Sequence, residues 1–119
     1  MKILVAEDDA IMLASITQQL KQEGFNVTSA NNGREAIEIF ESVNPDLVIT
    51  DIMMPFTSGL EFINIIRNKS DKIPIIVLSA LDEEETVLEA FNLGADDFLT
   101  KPVKPGELSI RVKRLSKKR

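Results

Sequence analysis

The sequence predicts an α/β fold, a five-stranded parallel sheet with helices on both faces, for which 2-1-3-4-5 is the doubly wound order expected. Three observations predict it. Short apolar or β-branched runs alternate five times with stretches of helical period, the pattern of consecutive βα units with right-handed crossovers. The runs that form strands one, three and four are continuously apolar, as strands covered on both faces are. Turn and cap residues stand between the runs rather than inside them.

Strand one is ILVA, residues 3 to 6, and Asp9 caps the helix that follows. That helix turns Ile16 and Leu20 inward, four apart, and stops at Gly24. Strand two is FNVTSA, residues 25 to 30, and helix two pairs Ile37 with Phe40. DLVIT, residues 46 to 50, is strand three. Thr57 or Ser58 opens helix three, whose inward pair is Ile63 and Ile66. Strand four is PIIVLSA, residues 74 to 80; Asp82 begins helix four, Val87 and Phe91 face the core, and Gly94 ends it. DFLT, residues 97 to 100, is strand five, and helix five turns Leu108 and Val112 inward. The basic end RVKRLSKKR complements the C-terminal dipole of that helix.

With 119 residues, 44% of them hydrophobic, the chain is expected to form one domain over residues 1–119. It has no cysteine, so neither a disulfide framework nor a thiolate metal site is available. No long uncharged apolar run and no signal-type N-terminus is present, so a cytoplasmic protein without membrane association is expected. A net charge of -5 argues against direct nucleic-acid binding by the domain. The absence of histidine excludes an imidazole base or a phosphohistidine from this chain. Any such group comes from a partner.

Ligands of doubly wound sheets bind beyond the C-terminal strand ends, at the point where the strand order reverses, here between strands one and three. Strand one ends in Glu7, Asp8 and Asp9, strand three in Asp51, strand four in Ser79 and strand five in Lys101. Three adjacent acids repel one another unless a cation sits among them. Clustered oxygen donors favour a hard divalent ion, and Mg²⁺ holds one or two carboxylates, water and phosphate oxygens. A carboxylate beside such an ion can attack phosphorus to form an acyl phosphate, with Lys101 and the Ser79 hydroxyl meeting the charge on the phosphoryl oxygens. Asp51, alone at its strand end, is the candidate nucleophile; Glu7 and Asp8 are adjacent and suited to holding the metal jointly.

Four marks, AEDD after strand one, DIMMPFTSG from Asp51, VLSA ending at Ala80 and GADDFLTKP from Gly94, occur in order at the predicted strand ends. Over essentially the whole chain they resemble the receiver domain of bacterial two-component response regulators, the CheY-like variant of the flavodoxin-like fold. The resemblance implies Mg²⁺-dependent phosphorylation of Asp51 by a sensor histidine kinase or phosphotransfer protein. It implies metal ligation by Glu7, Asp8, Asp51 and the Met53 backbone carbonyl, with Mn²⁺ able to substitute. Ser79 and Lys101 would bind the phosphoryl oxygens, and Ser79 and Phe98 would form the switch. It further suggests a cis Lys101–Pro102 bond, against the general preference for trans. Such a domain catalyses only its own phosphotransfer and dephosphorylation.

Taken singly, these residues have plainer readings: Asp9 as a cap, Met53 and Met54 as space-fillers, Phe98 as core, Pro55 and Gly59 as turn residues. Met53 and Leu81 lie two residues beyond Asp51 and Ser79, at positions that flank the water route in the resembled family. Both are apolar, so a long-lived acyl phosphate is expected. GADDFLTKP followed by ELSIRVKR is similar to the class that regulates winged-helix DNA-binding domains, and Asp96, Asp97, Glu107 and Arg111 fall at its dimer positions. A homodimer through helix 4, strand 5 and helix 5, controlling transcription, is the corresponding expectation. Val87 stands where a basic residue would pair across that face. The alternatives are a pseudo-receiver docking module, a flavodoxin-like cofactor module and a phosphohydrolase. Against the second, no glycine- or hydroxyl-rich phosphate loop follows strand one; against the third, the residue two beyond Asp51 is Met53 rather than an acid.

Overall fold

The computed structural model describes residues 1–80 and 84–117. Strands β1 (Lys2–Ala6), β2 (Asn26–Ala30), β3 (Leu47–Asp51), β4 (Ile75–Ser79) and β5 (Asp97–Thr100) alternate with helices α1 (Ala10–Gln22), α2 (Gly33–Val43), α3 (Gly59–Lys69), α4 (Glu84–Leu93) and α5 (Pro105–Lys117). All four strand pairings are parallel, as the alternation predicts, and the order is the expected β2-β1-β3-β4-β5. Every residue of β3 and β4 is buried, which is why those runs read as apolar throughout.

The sheet separates two apolar layers. Leu4, Val48, Ile75 and Val77 point to one face and meet Phe40 of α2, Phe62, Ile63 and Ile66 of α3, and Val87 and Ala90 of α4. Ile3, Val5, Leu47 and Ile49 point to the other and meet Ile16 and Leu20 of α1 and Leu108, Val112 and Leu115 of α5. Each of these large side chains, once fully buried, contributes roughly 1.5–3 kcal/mol. They are the main source of stability.

Helix boundaries follow local chemistry. Asp9 caps α1 by accepting from the Ile11 and Met12 N–H groups, and Ser58, the second of the two expected residues, caps α3. Asn32, which the sequence did not single out, caps α2. Gly24 and Gly94 take positive φ just past α1 and α4, as C′ glycines do. Pro105 opens α5, where its missing N–H costs nothing. The expected cap Asp82 lies outside the described residues, as does Leu81; so do Lys118 and Arg119 of the basic end. Lys101–Pro102 is cis.

Two expectations need correction. Phe91 does not face the core: α4 buries Val87 and Ala90, and Phe91, at the margin of that stripe, is 38% exposed. Met53 does not fill space either. It is 60% exposed, whereas its neighbour Met54 packs against the core.

Candidate functional site

Strand pairing carries on past the strand ends and fixes the residues that follow. Glu7 N–H donates to the Ala30 carbonyl, Ile52 N–H to that of Leu78, and Lys101 N–H to that of Ser79. Glu7, Asp51, Ser79 and Lys101 are thereby set at one end of the sheet by backbone that is itself hydrogen-bonded. Behind them the 52–58 loop returns onto its own strand: Gly59 N–H donates to the Ile52 carbonyl, and a Cβ at Gly59 would lie 2.2 Å from the Asp51 carbonyl oxygen. Glycine is required there by close approach.

The side chains converge as the strand ends predict. Lys101 Nζ donates to Asp51 Oδ2 at 2.8 Å and forms an ion pair with Glu7 Oε1 at 3.1 Å. Carboxylate oxygens of Glu7, Asp8 and Asp51 come within 4.8 Å of one another. Glu7 and Asp51 are buried while Asp8 is exposed, so the cluster opens to solvent on one side. Asp9 turns away to its cap, and its N–H donates to Glu7 Oε2. Met53 N–H reaches Asp51 Oδ1 at 3.4 Å.

The electrostatics are unbalanced. Burial, together with the negative charge of Asp51, pushes the Glu7 carboxyl up to about 7, although the Asp9 N–H opposes it. Burial also raises Asp51 above the ordinary aspartate value, outweighing its bond to Lys101. Burial alone would lower Lys101, but its bonds and proximity to Asp51 and Glu7 raise it. One ammonium faces three carboxylates, and the surplus favours a further cation.

Among the described residues the buried Ser79 Oγ has no hydrogen-bond partner, and the buried Glu7 Oε1 has the Lys101 ammonium 3.1 Å away. An unpartnered buried hydroxyl costs free energy unless something meets it. An oxygen-only donor set with one exposed member fits a hard divalent cation, and a buried hydroxyl with no partner fits an incoming anion oxygen. Mg²⁺ or Mn²⁺ with a phosphoryl group matches both.

Phe98, the expected switch aromatic, is 38% exposed on β5 and packs edge-to-face on Phe91 with centroids 5.9 Å apart. It is not plain core. On the other flank, the Arg34 guanidinium of α2 lies 4.4 Å over the Phe56 ring, and Phe56 takes φ 73°. Neither Phe91 nor Arg34 was singled out for function from the sequence. The signal at Phe91 is its spacing of four from Val87, which points to the core rather than to the site.

Residues 3–113 match the response regulator receiver domain family. The chain is 40% identical over 123 residues to the alkaline phosphatase synthesis transcriptional regulatory protein SphR of Synechococcus elongatus, covering 96% of this chain and 48% of that protein. It is 39% identical over 112 residues to a cyclic di-GMP phosphodiesterase of Thermotoga maritima, covering 94% of this chain and 30% of the relative. The chain thus spans about half or less of the length of these curated relatives. Among solved structures, the receiver domain of the Francisella response regulator 1452 superposes with a TM-score of 0.90 at 38% identity, covering 98% of this chain and 97% of that one.

Proposed function

Because this chain belongs to the response regulator receiver family of two-component signalling, we propose that it is a phosphorylation-driven switch whose phosphoacceptor is Asp51. The observation that carries the reading is the meeting of Asp51, Lys101, Glu7 and Asp8 beside the unpartnered Ser79 hydroxyl. In the reaction, an Asp51 carboxylate oxygen attacks the phosphorus of a phosphohistidine on a sensor kinase or phosphotransfer protein. The P–O bond forms as the P–N bond breaks and the imidazole leaves. The histidine belongs to the partner, since this chain has none.

Glu7, Asp8, Asp51 and the Met53 carbonyl would hold Mg²⁺, or Mn²⁺ in its place. When bound, the ion supplies charge neutralisation for phosphoryl oxygens. Lys101 holds Asp51 in place before transfer and meets a phosphoryl oxygen after it; Ser79 Oγ donates to another. The domain catalyses its own phosphorylation and dephosphorylation and no other reaction. Apolar Met53 and Leu81 order hydrolytic water poorly, which favours a long-lived acyl phosphate.

The output passes through α4, β5 and α5. The charges at the expected dimer positions are engaged within the chain: Asp97 pairs with Arg111 and Arg114, Glu107 with Arg111, and Asp96 with Arg67. Position 87 is valine, so a homodimer through this face rests on Leu88, Phe91 and Phe98 rather than on ion pairs between subunits. Likeness to SphR favours control of transcription, exerted from the cytoplasm by a region outside this domain, with no direct nucleic-acid contact by the domain itself. Among the described residues no helix is long and apolar enough to cross a membrane.

The test is intact mass after incubation with acetyl phosphate. One added phosphoryl group that requires both Mg²⁺ and Asp51, and is missing in Asp51→Asn, is the expected result. No adduct under conditions that trap short-lived species would overturn the proposal in favour of a docking module.

A further inference from the structure

Phe91 and Phe98 form an aromatic pair at the mouth of a cleft, and the pair has a use that depends on the phosphoryl-switch reading above. The cleft holds about 370 Å³ and is lined by Ser79, Val87, Leu88, Phe91, Phe98 and Thr100. A cavity of about 150 Å³ admits a benzene-sized ring. Room therefore exists for the Phe98 ring between β5 and α4, on the side where the Ser79 hydroxyl lacks a partner. Yet the ring stands outside, 38% exposed, edge-to-face on Phe91. With no hydroxyl of its own, it can be held outside only by packing.

Phe91 is itself anchored. One turn further on, the Gly94 carbonyl accepts from Arg67 Nε at 3.0 Å and Nη2 at 2.8 Å, tying the C-terminal end of α4 to α3. Arg67 also bonds the Ser70 and Ile73 carbonyls and Asp96, so the anchor reaches both β4 and β5. The Phe91 end of α4 is thus tied to α3 through its backbone, while Phe98 stands 38% exposed on β5.

We propose that Phe91 is a latch that holds Phe98 in its outward position and so sets how much of the unphosphorylated protein is already switched. Phe91 is a positioning residue; it touches neither metal nor phosphoryl group. An edge-to-face pair is worth enough to shift a two-state ratio roughly two- to tenfold. A ligand that prefers the inward state binds more tightly in the same proportion when that state is more populated.

The experiment labels the protein with 4-fluorophenylalanine and follows the Phe98 resonance, identified by its loss in Phe98→Leu. The free protein is read first, then Mg²⁺ with beryllofluoride, a phosphoryl mimic, is titrated in. Phe91→Leu, which keeps apolar bulk and loses the ring, is expected to raise the inward population and tighten the mimic by roughly two- to tenfold. Phe91→Tyr, which keeps the ring, is expected to match wild type in both. Mimic binding by Phe91→Leu no tighter than by wild type overturns the latch, whatever shift the loss of the Phe91 ring current gives the Phe98 resonance by itself. Wild-type protein that takes up no mimic with Mg²⁺ overturns the phosphoryl-switch reading instead, and with it the latch's part in signalling.

Discussion

Glu7 is a fully buried acid whose carboxyl is raised from 4.5 to about 7 by burial and by Asp51. Its sign is fixed by linkage: the folded state binds the proton more tightly than the unfolded chain, so this contribution is present below pH 4.5 and is lost as pH rises through 7. Asp51, also raised, acts in the same direction. Metal-free protein should therefore lose melting temperature between pH 5 and pH 8, a slope that Glu7→Gln flattens; Mg²⁺ should stabilise more at the upper end, where the carboxylates are ionised. A metal effect independent of pH would count against Glu7 as a ligand. These residues were legible because acid, hydroxyl and lysine at strand ends need only the strand order to bring them together. The Lys101 contact to Glu7 was not, since nothing local to strand one announces a cation arriving from strand five. Phe56 was not legible either: Pro55 and Gly59 marked the turn, but its left-handed residue is an aromatic, a type that rarely takes positive φ.

At the scale of elements, periodicity placed every helix and failed on one face. Spacing of four makes Val87 and Phe91 equivalent, but α4 packs on the margin of the sheet, and its inward stripe ends at Ala90. The sequence also gave no sign of Arg67, which makes five hydrogen bonds from the end of α3. An arginine near a helix C-terminus ordinarily reads as a dipole complement. Here its guanidinium joins α3, α4 and the starts of β4 and β5, and Asp96 accepts from the Ile75 N–H on the same oxygen. Arg67→Met removes these donors and leaves half-buried carbonyls unmet, at an expected cost of about 3 kcal/mol in denaturant unfolding. Arg67→Lys should recover only part of it, because an ammonium cannot span the same acceptors. A loss below about 0.5 kcal/mol would mean that packing alone holds α4.

For the whole molecule, the Asp96, Asp97 and Glu107 carboxylates of the output face are paired within the chain, and this gives association a particular signature. Any dimer formed through α4, β5 and α5 on binding beryllofluoride should hold equally well at low and high salt, as sedimentation would show, because apolar contact is not screened. Strong weakening by salt would return the interface to ion pairs between subunits. A different consequence follows from the sheet lying between two apolar layers. Phe62 and Val112 sit in separate layers, with no layer-mate in common. Substitutions at such distant sites add to within about 0.5 kcal/mol, whereas those sharing partners do not. The α1 and α5 side can thus accept or lose apolar volume as an independent account of stability, without its changes being felt by the Phe91–Phe98 pair across the sheet. The molecule carries two separately adjustable quantities, how firmly it folds and how readily it switches, and the sheet keeps them apart.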